Sequence, residues 1–196
     1  MIKKNLLNNE IFTLDNILLP QECVEYINLT ESIGYTDAPI STIRGFQMRP
    51  DIRNNERVIV DDRQRAFDLW QRVSDYIPKT IGKWQAVGLN ERFRFYRYDP
   101  GQRFAIHHDG CYRRPNGEES LLTFMIYLNE GFEGGETRFH LSPRYYEELP
   151  NITVVPVTGM ALCFVHELVH EGVAVVQGRK YVLRSDVMYR QQSRVY

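Results

Sequence analysis

The sequence predicts a mainly β protein of sandwich or jelly-roll type, with helices confined to its N-terminal part. Three observations carry this. From about Leu89 to the end, short runs rich in Val, Ile, Phe, Tyr and Thr alternate with Gly, Pro and Asn. Such closely spaced runs suit packed antiparallel strands better than the strand–helix alternation of a parallel sheet. Helix-period apolar patterns occur upstream of that point.

The elements follow in order. After Pro20, a helix is expected over Gln21–Ser32, because Val24, Ile27 and Ile33 recur at helical spacing and Gly34 offers a stop. Arg53–Arg57 reads as a polar loop entering a strand at Val58–Val60. A second helix is expected over Asp61–Ile77, with Ala66, Leu69, Trp70, Val73, Tyr76 and Ile77 on one side and Pro78 closing it. Strands are then expected at Arg92–Tyr98, Phe104–Asp109, Leu121–Asn129, Glu136–His140, Ile152–Pro156, Met160–Val165, His170–Gln177 and Lys180–Tyr189. No linker separates the two halves. The expectation is one domain over residues 1–196, with helical support over about 1–88 packed outside one sheet and a jelly roll over about 89–196.

Composition narrows the function. A chain of 196 residues, 43% hydrophobic and 25% charged, reads as an ordinary globular protein that needs no disulfide or structural metal. A net charge of -1 gives no bulk field toward nucleic acid or an anionic membrane, so neither is expected as a partner. Cys23, Cys111 and Cys163 are odd in number and form no CxxC pair, which points to free thiols in a reducing compartment. The start of the chain shows no signal peptide, and no run is long and apolar enough to span a bilayer. The expected location is the cytoplasm. Nothing in the sequence indicates an oligomeric state.

The chemistry concentrates at Phe104-Ala105-Ile106-His107-His108-Asp109. On a strand, residues two apart share a face, so His107 and Asp109 project together while His108 turns away. An imidazole and a carboxylate side by side are two legs of a facial metal site, and a third ligand must come from elsewhere. Two histidines and one carboxylate, with three positions left open, is the arrangement of non-haem Fe(II) oxygenases. By itself HxD is a weak signal, equally available to a hydrogen-bonded His–Asp pair at a strand end. Its ordered context makes the difference.

Glu91–Arg190 resembles the catalytic domain of the prolyl 4-hydroxylase-like Fe(II)/2-oxoglutarate oxygenases. The matching pieces, in order, are Arg97-Tyr98-Asp99-Pro100-Gly101-Gln102, His107-His108-Asp109, Leu122–Asn129, Gly134-Gly135-Glu136-Thr137-Arg138-Phe139, His170-Glu171-Gly172 and Gly178-Arg179-Lys180. The resemblance implies a double-stranded β-helix, a cupin-like jelly roll. It makes His107, Asp109 and His170 the iron ligands and Lys180 the partner of the 2-oxoglutarate 5-carboxylate. Tyr98 would donate a hydrogen bond to the same carboxylate. It implies hydroxylation of an unactivated C–H bond, with O2 and 2-oxoglutarate consumed, succinate and CO2 released, and ascorbate keeping the iron reduced. A prolyl residue in a peptide is the suggested substrate, with free amino acids or other small molecules, other side chains or nucleobases as alternatives; a nucleic-acid demethylase would need a basic groove and aromatic stacking faces, which the near-neutral charge does not favour. Family members often carry a tryptophan on the strand after the lysine. Here that strand reads Tyr181-Val182-Leu183-Arg184-Ser185-Asp186, which puts the prolyl substrate in doubt more than the iron site.

Several assignments stay open. If His170–Gln177 and Lys180–Tyr189 form a hairpin, a three-residue turn puts Lys180 on the face of His170, and a two-residue turn puts Arg179 there. Arg179 therefore competes for the carboxylate, and the family spacing favours Lys180. Arg184 lies on the face of Lys180, where it would reach the keto-acid 1-carboxylate or an anionic substrate, or form a salt bridge with Asp186 or Glu136. Thr123 and Tyr127 alternate with Leu122, Phe124, Ile126 and Leu128, so they are candidates for the pocket or for plain core. The Arg53–Arg57 loop and the loop of Arg113 and Arg114 would rim its mouth and grip substrate, or carry ordinary solvated charge. His108 and His140 are expected to have no metal role, and His166 to be a partly exposed strand-end residue.

Two other functions compete. His166-Glu167-Leu168-Val169-His170 matches HExxH, the zinc-protease signature, but that chemistry needs a helix and both flanks read as strand. A catalytically inactive metal-binding jelly roll is the other, and it has no need for a keto-acid anchor at Lys180.

Overall fold

The computed structural model of the chain describes residues 2–42, 44–141 and 151–192. Two antiparallel sheets face each other. Neighbours in the larger run in the order Lys3–Leu7, Ile11–Leu14, Ala161–Val165, Glu119–Tyr127, Lys180–Gln191, Arg92–Tyr98, Glu56–Asp61 and Thr36–Asp37. Trp84–Leu89 pairs with the far end of Lys180–Gln191, and Thr80–Ile81 pairs with Trp84–Leu89. The smaller sheet runs Phe104–His107, His170–Gly172, Thr137–Phe139 and Ile152–Val154. This is the jelly-roll architecture the strand pattern predicts.

Strand alternation divides the apolar residues into two cores. On Glu119–Tyr127, Leu122, Phe124 and Ile126 point outward and pack with Phe93, Phe95 and Leu183 against Ala66, Leu69 and Val73 of the second helix. Tyr127 points the other way, into a second cluster between the sheets with Tyr96, Tyr98, Phe139, Phe164 and Val182. Charged side chains interrupt the inner cluster, and there the site forms.

Both helices form, with different limits and one different face. The first spans Pro20–Ile33, with Pro at its start, the Glu22 carboxylate accepting the Leu19 N–H at 2.8 Å, and Gly34 closing it at φ 92°. Its buried side is Cys23 and Thr30 with Tyr26 and Ile27, whereas Val24 and Ile33 are exposed. The apolar spacing suggested the wrong stripe, because Thr30 buries its hydroxyl by donating to the Tyr26 carbonyl at 3.0 Å. The second helix spans Arg63–Val73, shorter than Asp61–Ile77. Asp61 stays in a strand, and Asp62 caps the helix by accepting the Arg65 N–H at 2.9 Å. Tyr76 N–H turns back to the Val73 carbonyl at 2.9 Å, so the chain leaves the helix before Pro78.

Two further expectations are corrected. The N-terminal part is not only helical support: Lys3–Leu7, Ile11–Leu14, Glu56–Asp61 and Trp84–Leu89 are strands of the larger sheet. Nor do His170–Gln177 and Lys180–Gln191 form a hairpin. The first divides into His170–Gly172, in the smaller sheet, and Val175–Gln177, which pairs with Glu133–Gly134. Gly134 permits this close pairing: at φ 73°, a Cβ there would lie 2.3 Å from the Ala174 carbonyl oxygen. After Gly178 the chain enters the larger sheet with Lys180 opposite Tyr98.

Candidate active site

The strands Phe104–His107 and His170–Gly172 are neighbours in the smaller sheet, with His107 paired to His170. Asp109 lies just past the end of its strand, where its N–H is accepted by the His166 carbonyl at 3.0 Å. Ligand atoms of His107, Asp109 and His170 all lie within 4.8 Å of one another. The two imidazole Nε2 atoms stand 3.7 Å and 3.8 Å from the Asp109 carboxylate oxygens, too far for a hydrogen bond and spaced for a cation between them.

Their protonation suits a metal. His107 Nδ1 faces the Ala105 carbonyl at 2.8 Å and His170 Nδ1 faces the Leu168 carbonyl at 2.9 Å. A carbonyl only accepts, so the hydrogen sits on Nδ1 in both rings and the Nε2 lone pairs point at the carboxylate. Burial, with repulsion from His170, pushes His107 down to about 3. Burial also lowers His170. Burial alone would raise Asp109, but the Arg184 guanidinium 2.9 Å away outweighs it and holds the carboxyl at about 2. Two neutral imidazoles and one carboxylate, with no fourth donor in the group, are a donor set that fits iron(II).

The narrow pocket beyond these three, about 50 Å³, is lined by Tyr98, Thr137, Phe164, Lys180 and Arg184 among others. Lys180 is buried at its inner end, and Nζ donates to the Gly135 carbonyl at 2.5 Å. The rings of Tyr98 and Tyr127 lie 5.1 Å and 5.5 Å from that nitrogen. Burial lowers Lys180 to about 7, against the pull of Glu136. The ammonium has no carboxylate within ion-pair distance among the described residues.

The structure separates the other candidates. Arg179 lies outside the pocket and forks onto Asp99 at 2.5 Å and 3.1 Å, so it does not share the position of Lys180. Adjacent strand residues face opposite ways, which makes the two positions exclusive. Arg184 lines the pocket and bridges Asp109 to Asp186, at 2.9 Å and 3.2 Å, rather than reaching Glu136. Thr123 is on the pocket wall, with its hydroxyl donating to Asp109 Oδ2 at 2.5 Å. Tyr127 meets Thr137 Oγ1 at 2.7 Å. Arg113 pairs with Glu119, and Arg114 with Glu118 and Glu91, away from the pocket. They flank a separate open groove of about 580 Å³ between the second helix and the Tyr112–Asn116 loop, which contains none of the three clustered ligands.

His108 is exposed, and His140 Nε2 sits 3.1 Å from Glu171. His166 is buried rather than partly exposed, 3.6 Å from Asp186. No helix covers 166–170, a turn followed by a strand, so His166 does not join His170 as HExxH requires. Sequence reasoning missed Arg94, which pairs with Asp186 at 3.1 Å, and the burial of Arg53, beside Tyr96 and Phe104. The facing pattern of Arg92–Tyr98 was available for Arg94 and Tyr96. Arg53 was expected in a loop at the pocket rim, and nothing local marked its burial.

A jelly roll holding two histidines and a carboxylate between its sheets defines a non-haem metal protein of the oxygenase type. Residues 93–185 match the sequence model of the 2OG-Fe(II) oxygenase superfamily. The family that this model describes uses Fe(II), 2-oxoglutarate and O2, and the His107, Asp109 and His170 cluster fits that cofactor set. Prolyl 4-hydroxylase 1 of Arabidopsis thaliana is 25% identical over 87% of this chain and 66% of its own length. The chain thus spans about two thirds of that plant relative. A putative prolyl 4-hydroxylase of Acanthamoeba polyphaga mimivirus is 25% identical over 89% of this chain and 72% of its own. Among solved structures, a Pseudomonas putida prolyl-4-hydroxylase superposes with a TM-score of 0.68, at 18% identity and covering 93% of each chain. A Trichoplax adhaerens prolyl hydroxylase in complex with a hypoxia inducible factor peptide fragment superposes at 0.67, with 17% identity, 91% of this chain and 83% of the other covered. At these identities the superpositions establish the fold. Among the described residues no helix is long and apolar enough to cross a membrane.

Proposed function

We propose that the chain is an Fe(II)/2-oxoglutarate-dependent dioxygenase that hydroxylates an unactivated C–H bond in a peptide, a prolyl residue being the first candidate, with release of succinate and CO2. One observation carries the reading. The same pocket has two neutral imidazoles and an ionised carboxylate at one end, and a buried lysine without a carboxylate partner at the other.

Iron(II), when bound, supplies O2 activation driven by oxidative decarboxylation of the keto acid. His107, Asp109 and His170 would hold it. Lys180 would give up the Gly135 carbonyl to receive the far carboxylate of 2-oxoglutarate, with Tyr98 beside it. Arg184 and Thr123 each take one oxygen of Asp109, fixing the plane of that carboxylate. Phe104, Phe164 and Val182 keep bulk water from the walls. Ascorbate would keep the iron ferrous, and the free Cys23, Cys111 and Cys163 suit the reducing cytoplasm. The peptide assignment draws on the prolyl hydroxylases to which the chain is similar.

Release of CO2 from 2-oxoglutarate labelled at its 1-carboxylate tests this. Release that requires Fe(II) and is lost in His170→Ala supports the reading. No release with iron, alongside peptide-bond cleavage with zinc, contradicts it.

A further inference from the structure

The charges of the inner sheet face do not balance. Arg53, Arg57, Arg94, Lys180 and Arg184 gather on or beside it, and the carboxylates that meet them are Asp109 and Asp186. Arg184 is shared between those two, and Arg94 lies on Asp186. On the reading above, Lys180 takes one carboxylate of 2-oxoglutarate and the other goes to the metal. The dication and the dianion cancel, so cosubstrate leaves the excess of arginine untouched.

Two guanidiniums then lack a counter-charge. Arg53 is 5% exposed, with Nε donating to Asn55 Oδ1 at 2.7 Å and Nη2 buried without any hydrogen-bond partner. Leaving such a donor unpaired is costly unless something fills the place. Its carbon lies 4.3 Å from the Tyr96 ring centroid and 4.4 Å from that of Phe104, both pocket residues. Phe104 stacks on His107 with centroids 3.5 Å apart, so a single ring separates Arg53 from a metal ligand. Arg57 sits across from Tyr96 on the adjacent strand, half-buried, with the ring of Phe46 at 5.7 Å and Tyr96, Arg53 and Arg94 close enough to act on its charge. Among the described residues neither arginine has a carboxylate within ion-pair distance. Burial would push the Tyr96 phenol up, yet Arg53, Arg184 and Arg94 hold it below its ordinary value.

We propose that Arg53 and Arg57 form an anion subsite beside the metal ligands, and that the substrate is a peptide with an acidic side chain close to the residue oxidised. This rests on the dioxygenase reading. The arginine forks offer bidentate hydrogen bonds to a carboxylate, and the low-dielectric wall of Tyr96 and Phe104 strengthens them. A site built to hydrogen-bond a carboxylate rejects a neutral isostere, because its buried donors are then left unpaired. The subsite lies on strand and loop positions N-terminal to the matched segment 93–185.

The test uses the full chain with Fe(II) and 2-oxoglutarate, held anaerobic. Short labelled peptides with a central proline carry Asp or Glu at the flanking positions, and matched peptides carry Asn or Gln. Binding is read by fluorescence anisotropy, and keto-acid binding by the visible Fe(II)–2-oxoglutarate charge-transfer band. The expected result is about tenfold or greater preference for the acidic peptides, lost in Arg57→Gln and Arg53→Gln, with the band unchanged. Arg57 is partly exposed, so its variant folds even where burial makes Arg53→Gln fail. Equal binding of acidic and amide peptides, binding of neither, or tighter binding of a single-stranded oligonucleotide overturns the subsite. So does a loss of keto-acid affinity in Arg57→Gln with the peptide preference intact. Absence of the band in the wild-type protein is a different failure, that of the dioxygenase reading itself.

Discussion

Lys180 shows what burying an ammonium costs a fold. Its ammonium is buried, meets a single carbonyl and titrates near 7, against an ordinary 10.5. Between those values the unfolded chain takes up a proton that the folded chain refuses. The destabilisation is therefore full below about pH 7 and fades as pH rises toward 10.5. Lys180→Met is expected to raise stability on the order of 2 kcal/mol at neutral pH, with the gain vanishing in strong alkali, while 2-oxoglutarate binding is lost. Thermal unfolding at pH 7 and pH 10.5, with a keto-acid titration, checks both parts. Thr123→Val removes the hydroxyl that donates to Asp109 and is expected to weaken metal binding by about 10–100-fold without unfolding the protein, measured by competition with a chelating dye. His107 and Asp109 were legible as a pair because HxD has strand spacing, and His170 and Lys180 because a family pattern spaced them. The choice between Lys180 and Arg179 was not legible from the residues, since facing depends on a turn. The structure replaces that turn with a passage between sheets. The burial of Arg53 and His166 left no local trace, because what buries them is distant in sequence.

At the scale of elements, the eight expected strand runs each contain a strand, and their alternation already sorts Leu122, Phe124 and Ile126 from Thr123 and Tyr127. The early strands were missed because Lys3–Leu7 carries Lys-Lys-Asn and only four residues make up Ile11–Leu14. Period-two patterns need more length than that. The first helix was recognised but its face was not, and this has a measurable consequence. Val24→Ser is expected to change stability by less than about 0.5 kcal/mol, because Val24 is exposed. Leu69→Ala, in the buried face of the second helix, is expected to cost about 2–5 kcal/mol. Urea denaturation distinguishes these. In the Glu133–Gly134 ribbon, Gly134→Ala drives a Cβ against the Ala174 carbonyl and displaces the neighbouring Gly135 that holds Lys180. Weaker 2-oxoglutarate binding with an intact metal affinity is the expected pattern in titrations of that variant.

The whole molecule joins its early and late residues in one sheet. Ile11–Leu14 pairs with Ala161–Val165, Glu56–Asp61 with Arg92–Tyr98, and Trp84–Leu89 with Lys180–Gln191. Class and architecture were legible from strand count and punctuation. The partners were not, because pairing between strands so far apart is fixed by packing rather than by local pattern. The N-terminal part completes the edges of the sheet that supports the site and supplies Arg53 and Arg57. Residues 89–196 expressed alone are accordingly expected to lack cooperative unfolding, whereas the full chain unfolds in one transition by both near- and far-ultraviolet circular dichroism.

The central claim is that one pocket binds a metal at His107, Asp109 and His170 and the far end of a keto acid at Lys180. Anaerobic titration of Fe(II) and 2-oxoglutarate, followed by the visible charge-transfer band, addresses it most directly. The account predicts a band in the wild-type protein, none in His170→Ala, and in Lys180→Ala a band that needs far more 2-oxoglutarate. A wild-type protein that binds zinc through His166 and His170 and forms no band with iron would contradict it.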